Sequence, residues 1–140
     1  MCGIVGILGA TPVAARLDSV ALRWVIELLG LPAGTGGAFV SGATMANVTC
    51  LAAARDAVLA RAGWDAAARG LVGAPAVQVV VGEEAHSAVT KALGLVGLGR
   101  DRAIRLPVDD QGRIAVGRDR LPDVERPVIV SLQAGKVNSG

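Results

Sequence analysis

The sequence predicts an α/β fold with a mostly parallel sheet and flanking helices. Three observations carry this. Val77 to Val81, VQVVV, is β-branched and apolar apart from Gln78, the pattern of a strand buried on both faces. A helical stretch over 85–96 follows it at once. The run Pro127 to Leu132, PVIVSL, then repeats the buried-strand pattern, and strands separated by helical crossovers pair in parallel.

From the N-terminus, residues 1–10 form an apolar arm, and 11–140 are expected to form part of one domain. A first helix starts from Thr11 as N-cap and Pro12 as first helical residue. Val13, Leu17, Val20, Ala21, Trp24, Ile26, Leu28 and Leu29 recur near helical spacing, and Gly30 with Pro32 supplies the stop. This helix is expected to pack on a neighbouring layer, with Trp24 as a core anchor. After a loop over Ala33 to Gly37, a short strand-like run, Ala38 to Val40, meets the small-residue turn Ser41-Gly42-Ala43-Thr44. A second helix is predicted over Thr44 to Ala62, stopped by Gly63, with Met45, Val48, Leu51, Ala52, Val58 and Leu59 on its buried side. Trp64 to Gly70 reads as a short extra turn of helix.

Beyond VQVVV and its helix, Ala103 to Val108 is a short strand and Asp109 to Gly112 a polar turn in which Asp109 and Asp110 are turn formers. Arg118 to Glu125 is a helix-like or irregular piece. A parallel sheet with two or three strands is an incomplete object, so the chain is expected to be a fragment.

Composition narrows the function. The 140 residues are 52% hydrophobic, enough for a sizeable core, with a formal net charge of +2 and interspersed charges that make no nucleic-acid stripe. Tyr is absent and Phe39 is the single Phe, which removes the stacking platform of single-strand binders. Apolar runs break before the roughly 20 residues that a membrane helix needs. The start lacks a basic segment and an A-x-A pattern, so a cytoplasmic protein is expected. Cys2 and Cys50 are far apart with one His in the chain, which suggests two reduced thiols and no metal site.

In open α/β sheets ligands collect where strands run into helices. Three loops stand at such places: Ser41 to Thr44, Gly82 to His86, and Gln133 to Gly140. At the first, Gly42 allows close backbone approach, Ala43 leaves the backbone exposed, and Thr44 offers a hydroxyl. The following helix directs N–H groups and the positive end of its dipole at the turn. That suits a phosphate, although Ser, Thr and Gly before a helix are also ordinary capping residues. His86, the sole histidine, stands just past VQVVV, where it is either structural or a site residue. Glu83 and Glu84 suit the dipole of the helix that follows and are expected to cap it.

GAFVSGATMANVTCLAAARD, then VVVGEEAHSAVTKALGLVGLG, LPVDDQGRI and a strand ending in QAGKVNSG, taken together, resemble the pyridoxal-phosphate-dependent group II decarboxylases. This family includes aromatic-L-amino-acid and glutamate decarboxylases, in the aspartate-aminotransferase-like fold (fold type I). The resemblance spans roughly residues 11–140. It implies pyridoxal 5′-phosphate as cofactor, an amino acid as small-molecule substrate, loss of CO2 as reaction, and homodimers in the full-length relatives. It also implies that Gly42, Ala43 and Thr44 bind the cofactor phosphate, and that His86 stacks on the pyridine ring as the catalytic histidine.

The family's chemistry needs a lysine for the Schiff base and an aspartate for the pyridine nitrogen, both expected beyond the point matching Gly140. The chain has two lysines. Lys91 falls five residues after His86 on a helix, on another face and toward solvent. Lys136, with Val137, stands where relatives often carry threonines. The expectation is a decarboxylase fragment that is inactive alone. The alternatives are a non-catalytic α/β module or truncated pseudo-enzyme, and a glutamine amidotransferase. The last rests on MCGIVGILG, which resembles the start of class II amidotransferases, where a cysteine matching Cys2 becomes the N-terminal nucleophile. Nothing downstream resembles the rest of that domain, so the purified chain should show no glutaminase activity above that of Cys2→Ala. An assay of both, with mass spectrometry for Met1 removal, checks this.

Overall fold

The computed structural model describes residues 13–32, 34–114 and 127–133. They fall into two compact units, one within Met1–Ser41 and the other within Gly42–Gly140. Thr11 and Pro12, the apolar arm, the 118–125 segment and the loop past Gln133 lie outside the described residues.

The first unit holds α1 (Val13–Leu28). It ends as expected at Gly30, whose φ of 61° is in the left-handed region. There the Leu31 N–H donates to the Ile26 carbonyl and the Gly30 N–H to that of Glu27, the Schellman closure. Trp24 is not a core anchor: it is 58% exposed, and Leu17 and Leu28 beside it on the apolar stripe are exposed as well. Ala38 to Val40 is not a strand either, since among the described residues it has no partner to complete a ladder.

The second unit is a three-stranded parallel sheet with helices against it. Its strands are β1 (Gln78–Gly82), β2 (Ile104–Leu106) and β3 (Val128–Ser131), in the order β2-β1-β3. Val80 faces Ile104 on one side and Val130 on the other, so β1 is the central strand. Its helices are α2 (Ala43–Arg61), α3 (Ala66–Arg69) and α4 (Ser87–Leu95).

The hydrophobic core forms where α2 and α4 meet the sheet. Leu51 of α2, Val79 and Val81 of β1, Ala92, Leu93 and Val96 in and after α4, and Ile129 of β3 make one buried cluster. Val79 and Val81 are two apart and so share a sheet face. The small side chain of Ala92, fully buried, leaves room for α2. Polar anchors sit at the edge of this packing: Nη1 of Arg55 donates to the Val96 carbonyl at 2.7 Å, placing a cation at the C-terminal end of α4. β1 is buried from Val79 to Gly82, as the sequence predicts. β3 is not buried on both faces: Ile129 is in the core, whereas Val130 is 48% and Leu132 70% exposed. The difference arises because β3 is an edge of the described sheet and only one of its faces meets α2.

α3 is short because its start is strong and its end immediate. Oδ1 of Asp65 accepts from the N–H groups of Ala67 and Ala68 at 3.0 Å each, and Gly70 ends the turn with φ 68°. Trp64 closes the same loop, its Nε1 donating to the Gly70 carbonyl at 2.8 Å beneath the Arg69 guanidinium.

Leu93 is 2% exposed at the centre of the α2–sheet–α4 packing. Leu93→Ala should cost about 2–5 kcal/mol, a large fraction of the stability of a small domain, read as a lower urea midpoint.

Candidate functional site

The start of α2 is open. Gly42 is its N-cap, in extended backbone (φ 161°, ψ 176°), and no side chain caps it. The first amide with a helical acceptor is that of Ala46, which donates to the Gly42 carbonyl at 3.0 Å. The N–H groups of Ala43, Thr44 and Met45 therefore sit in the first turn at the positive end of a 19-residue helix. A Cβ built on Gly42 meets nothing within 4 Å among the described residues. Ala43 is exposed and Thr44 half-buried. The capping alternative for this turn is thus not realised, and its donors suit an anion.

His86 follows the carboxyl end of β1 and is the N-cap of α4. Its Nδ1 accepts from the Ala88 N–H at 3.1 Å, which puts the proton of the neutral ring on Nε2. The ring is otherwise exposed. His86 is thereby both structural and available, two roles that the sequence alone presents as alternatives.

Glu83 departs from expectation. It does not cap α4, which begins at Ser87 under His86. Its Oε1 instead accepts from the Val108 N–H at 3.1 Å, and its carbonyl accepts from Nη1 of Arg105 at 3.2 Å. Sequence reasoning missed this because the bonds join residues 22 and 25 apart, across two strands whose adjacency no local pattern announces. Glu84 also lies ahead of the helix, in the turn between β1 and His86.

Asp109 is a turn former, as expected. Its Oδ1 accepts from the N–H groups of Gln111 and Arg113. Lys91 is on the exposed side of α4, away from the core residues Ala88, Ala92 and Leu93. Lys136 and Cys2 lie outside the described residues. Gly42, Ala43 and Thr44 form one turn, while His86 stands at the head of the helix that packs on α2. No hydrogen bond joins the two among the described residues.

No family model matches the chain. Individual proteins do. An aromatic-L-amino-acid decarboxylase of Bacillus atrophaeus is 29% identical over 134 residues, covering 91% of this chain and 25% of that protein. Among solved structures, apo mouse CSAD superposes with a TM-score of 0.64 at 28% identity, over 74% of this chain and 21% of that one. The chain is a homologue of the group II pyridoxal-phosphate-dependent decarboxylases. Its three parallel strands and flanking helices are part of the type I fold of those enzymes. Oryza sativa TDC, solved with PLP and tryptamine, matches this decarboxylase homologue with a TM-score of 0.59 and 29% identity, over 74% of the chain. The chain spans about a quarter of the length of the relatives it matches. No described helix is long and apolar enough to cross a membrane.

His86→Ala removes the acceptor for the Ala88 N–H and should cost about 0.5–2 kcal/mol, whereas His86→Asn, whose side-chain oxygen caps equally well, should cost less. Urea unfolding of the two variants checks the order.

Proposed function

We propose that this chain carries the phosphate-binding turn and the ring-stacking histidine of a pyridoxal-phosphate-dependent amino-acid decarboxylase, and that it lacks the Schiff-base lysine. The observation that carries this reading is the uncapped start of α2, open above Gly42, in a homologue whose His86 stands where a strand of the same sheet runs into its helix. The amides of Ala43 and Thr44 would hold the cofactor phosphate with the dipole of α2 behind them, and the Thr44 hydroxyl would add a donor. His86 would lay its imidazole face against the pyridine ring, kept in one orientation by the bond from Ala88. Bound there, the cofactor supplies an electron sink for the loss of CO2 from an amino acid. No residue described here is placed to form a Schiff base, since Lys91 is turned to solvent. On the family likeness this reading places the chain in the cytoplasm with an amino acid as substrate, and makes its full-length relatives homodimers. Sedimentation of such a relative tests the dimer.

The same reading leaves this chain as a binder without turnover. Equilibrium dialysis with pyridoxal 5′-phosphate should show reversible binding. Ala43→Glu, which sets a carboxylate among the phosphate's donors, should weaken it by about tenfold or more. Borohydride treatment should trap no adduct. A stable adduct on Lys91 or Lys136 would overturn the claim that the lysine is missing, and equal binding by Ala43→Glu would overturn the turn assignment.

A further inference from the structure

α2 and α4 carry the two pieces of the candidate site at their starts, and the contacts between these helices fix how the starts stand to each other. Leu51 of α2 belongs to the buried cluster with Ala92 and Leu93 of α4, whereas Leu59, about two turns further along α2 and 1% exposed, lies outside it. At the far end of α4 the partners are Arg55, whose Nη1 donates to the Val96 carbonyl at 2.7 Å, and Leu71, whose side chain stands 2.8 Å from where a Cβ on Gly97 would be. The two helices therefore run the same way, and both begin toward the carboxyl end of β1. Ala43 is twelve residues ahead of Arg55 and His86 ten ahead of Val96. At 1.5 Å per residue the two heads stand about 18 and about 15 Å above the Arg55 bond, level to within one helical turn.

We propose that Arg55 is a positioning residue for the candidate site: it sets the height of α4 against α2, and with it the distance from the phosphate turn to the His86 ring. Apolar packing brings the helices together but resists sliding less, because it has no direction and the side chains at the contact include the small Ala52 and Ala92. The bond from Arg55 has a direction. Its Nε donates to Oδ1 of Asp56, the next residue of the same helix, at 2.8 Å, so the guanidinium is held to α2 while Nη1 reaches across to α4. The acceptor is the C-cap carbonyl of α4, at the negative end of that helix, and the charged donor makes the bond strong. The Arg55 side chain is 18% exposed, so water competes little for it. Bonds such as that from Ala88 hold the His86 ring on the head of α4, and Arg55 holds α4 on α2. The consequence for the cofactor rests on the function proposed above, whereas the register of the two helices does not. A rigid ligand gripped at its phosphate by one helix head and on its ring by the other tolerates little sliding between them.

Arg55→Met keeps the apolar stem and removes both bonds. Inorganic phosphate, which meets the head of α2 alone, should bind this variant as it binds the wild-type full chain, followed by the amide signals of Ala43 and Thr44. Pyridoxal 5′-phosphate, which needs both heads, should bind about three- to tenfold more weakly, the worth of one stacked ring pair. The register is read with a nitroxide on the exposed Cys50 in a Cys2→Ser background, through its broadening of the ring signals of His86, the sole histidine. That broadening should change in Arg55→Met. It should not change in Leu59→Val, which lowers the urea midpoint by thinning a buried side chain outside the cluster shared with α4. Unchanged broadening in Arg55→Met, or affinities for phosphate and pyridoxal 5′-phosphate that move together, would overturn the proposal. If Arg55→Met does not fold, Asp56→Ala, which frees the guanidinium from α2, takes its place with the same outcomes for and against. A wild-type chain that does not bind pyridoxal 5′-phosphate removes the function proposed above and leaves the broadening to judge the register.

Discussion

Burial of β1 is the constraint on which the second unit depends. From Val79 to Gly82 the strand has no polar side chain, and its backbone groups can be satisfied only by neighbours on both edges, which β2 and β3 provide. Its side chains alternate, so Val79 and Val81 go to the face that α2 and α4 cover, where Leu51, Leu93 and Val96 meet them. A slip of one residue would exchange the two faces, and the core therefore specifies the register as well as the pairing. It also decides where the strand stops, and with that the place of the loop that carries Glu83 and His86.

The two helices packed on this core begin in opposite ways. The head of α4 is closed by its own histidine, which turns one ring nitrogen into the first turn. The head of α2 has no capping side chain, and among the described residues nothing lies within 4 Å of where a Cβ on Gly42 would stand. Helix starts are usually closed because their amides otherwise depend on solvent, so an open one is the informative case when the chain's homologues handle a phosphate cofactor. The closed one is informative for a different reason. A capping imidazole has one nitrogen committed and its face uncommitted, which is the state in which a ring can stack without losing its orientation.

Local pattern made much of this legible. VQVVV is a strand to within one residue of its expected ends, the Gly42–Thr44 turn opens a helix where the change of period places it, and Gly30 ends α1 through the left-handed conformation that Gly adopts without strain. What failed were statements about which surfaces are covered. Trp24 and Val130 are apolar at the proper spacing, yet both are largely exposed, because periodicity shows which side chains share a face and not whether another layer lies on it. Ala38 to Val40 failed for a related reason, since a strand is defined by a partner.

Glu83 marks the same boundary at the candidate site. Its charge and its place ahead of a helix suggest a dipole partner, and the sequence holds nothing to contradict that. Its actual partners, Arg105 and Val108, become neighbours only when β2 lies beside β1. By itself, then, the sequence determined the α/β class and the resemblance to the decarboxylases, and it supplied the residues proposed for a phosphate and a ring, because short-range period and motif order encode these. Tertiary structure alone decided which apolar faces are covered and what Glu83 binds, because those outcomes depend on contacts between segments that are far apart in the chain.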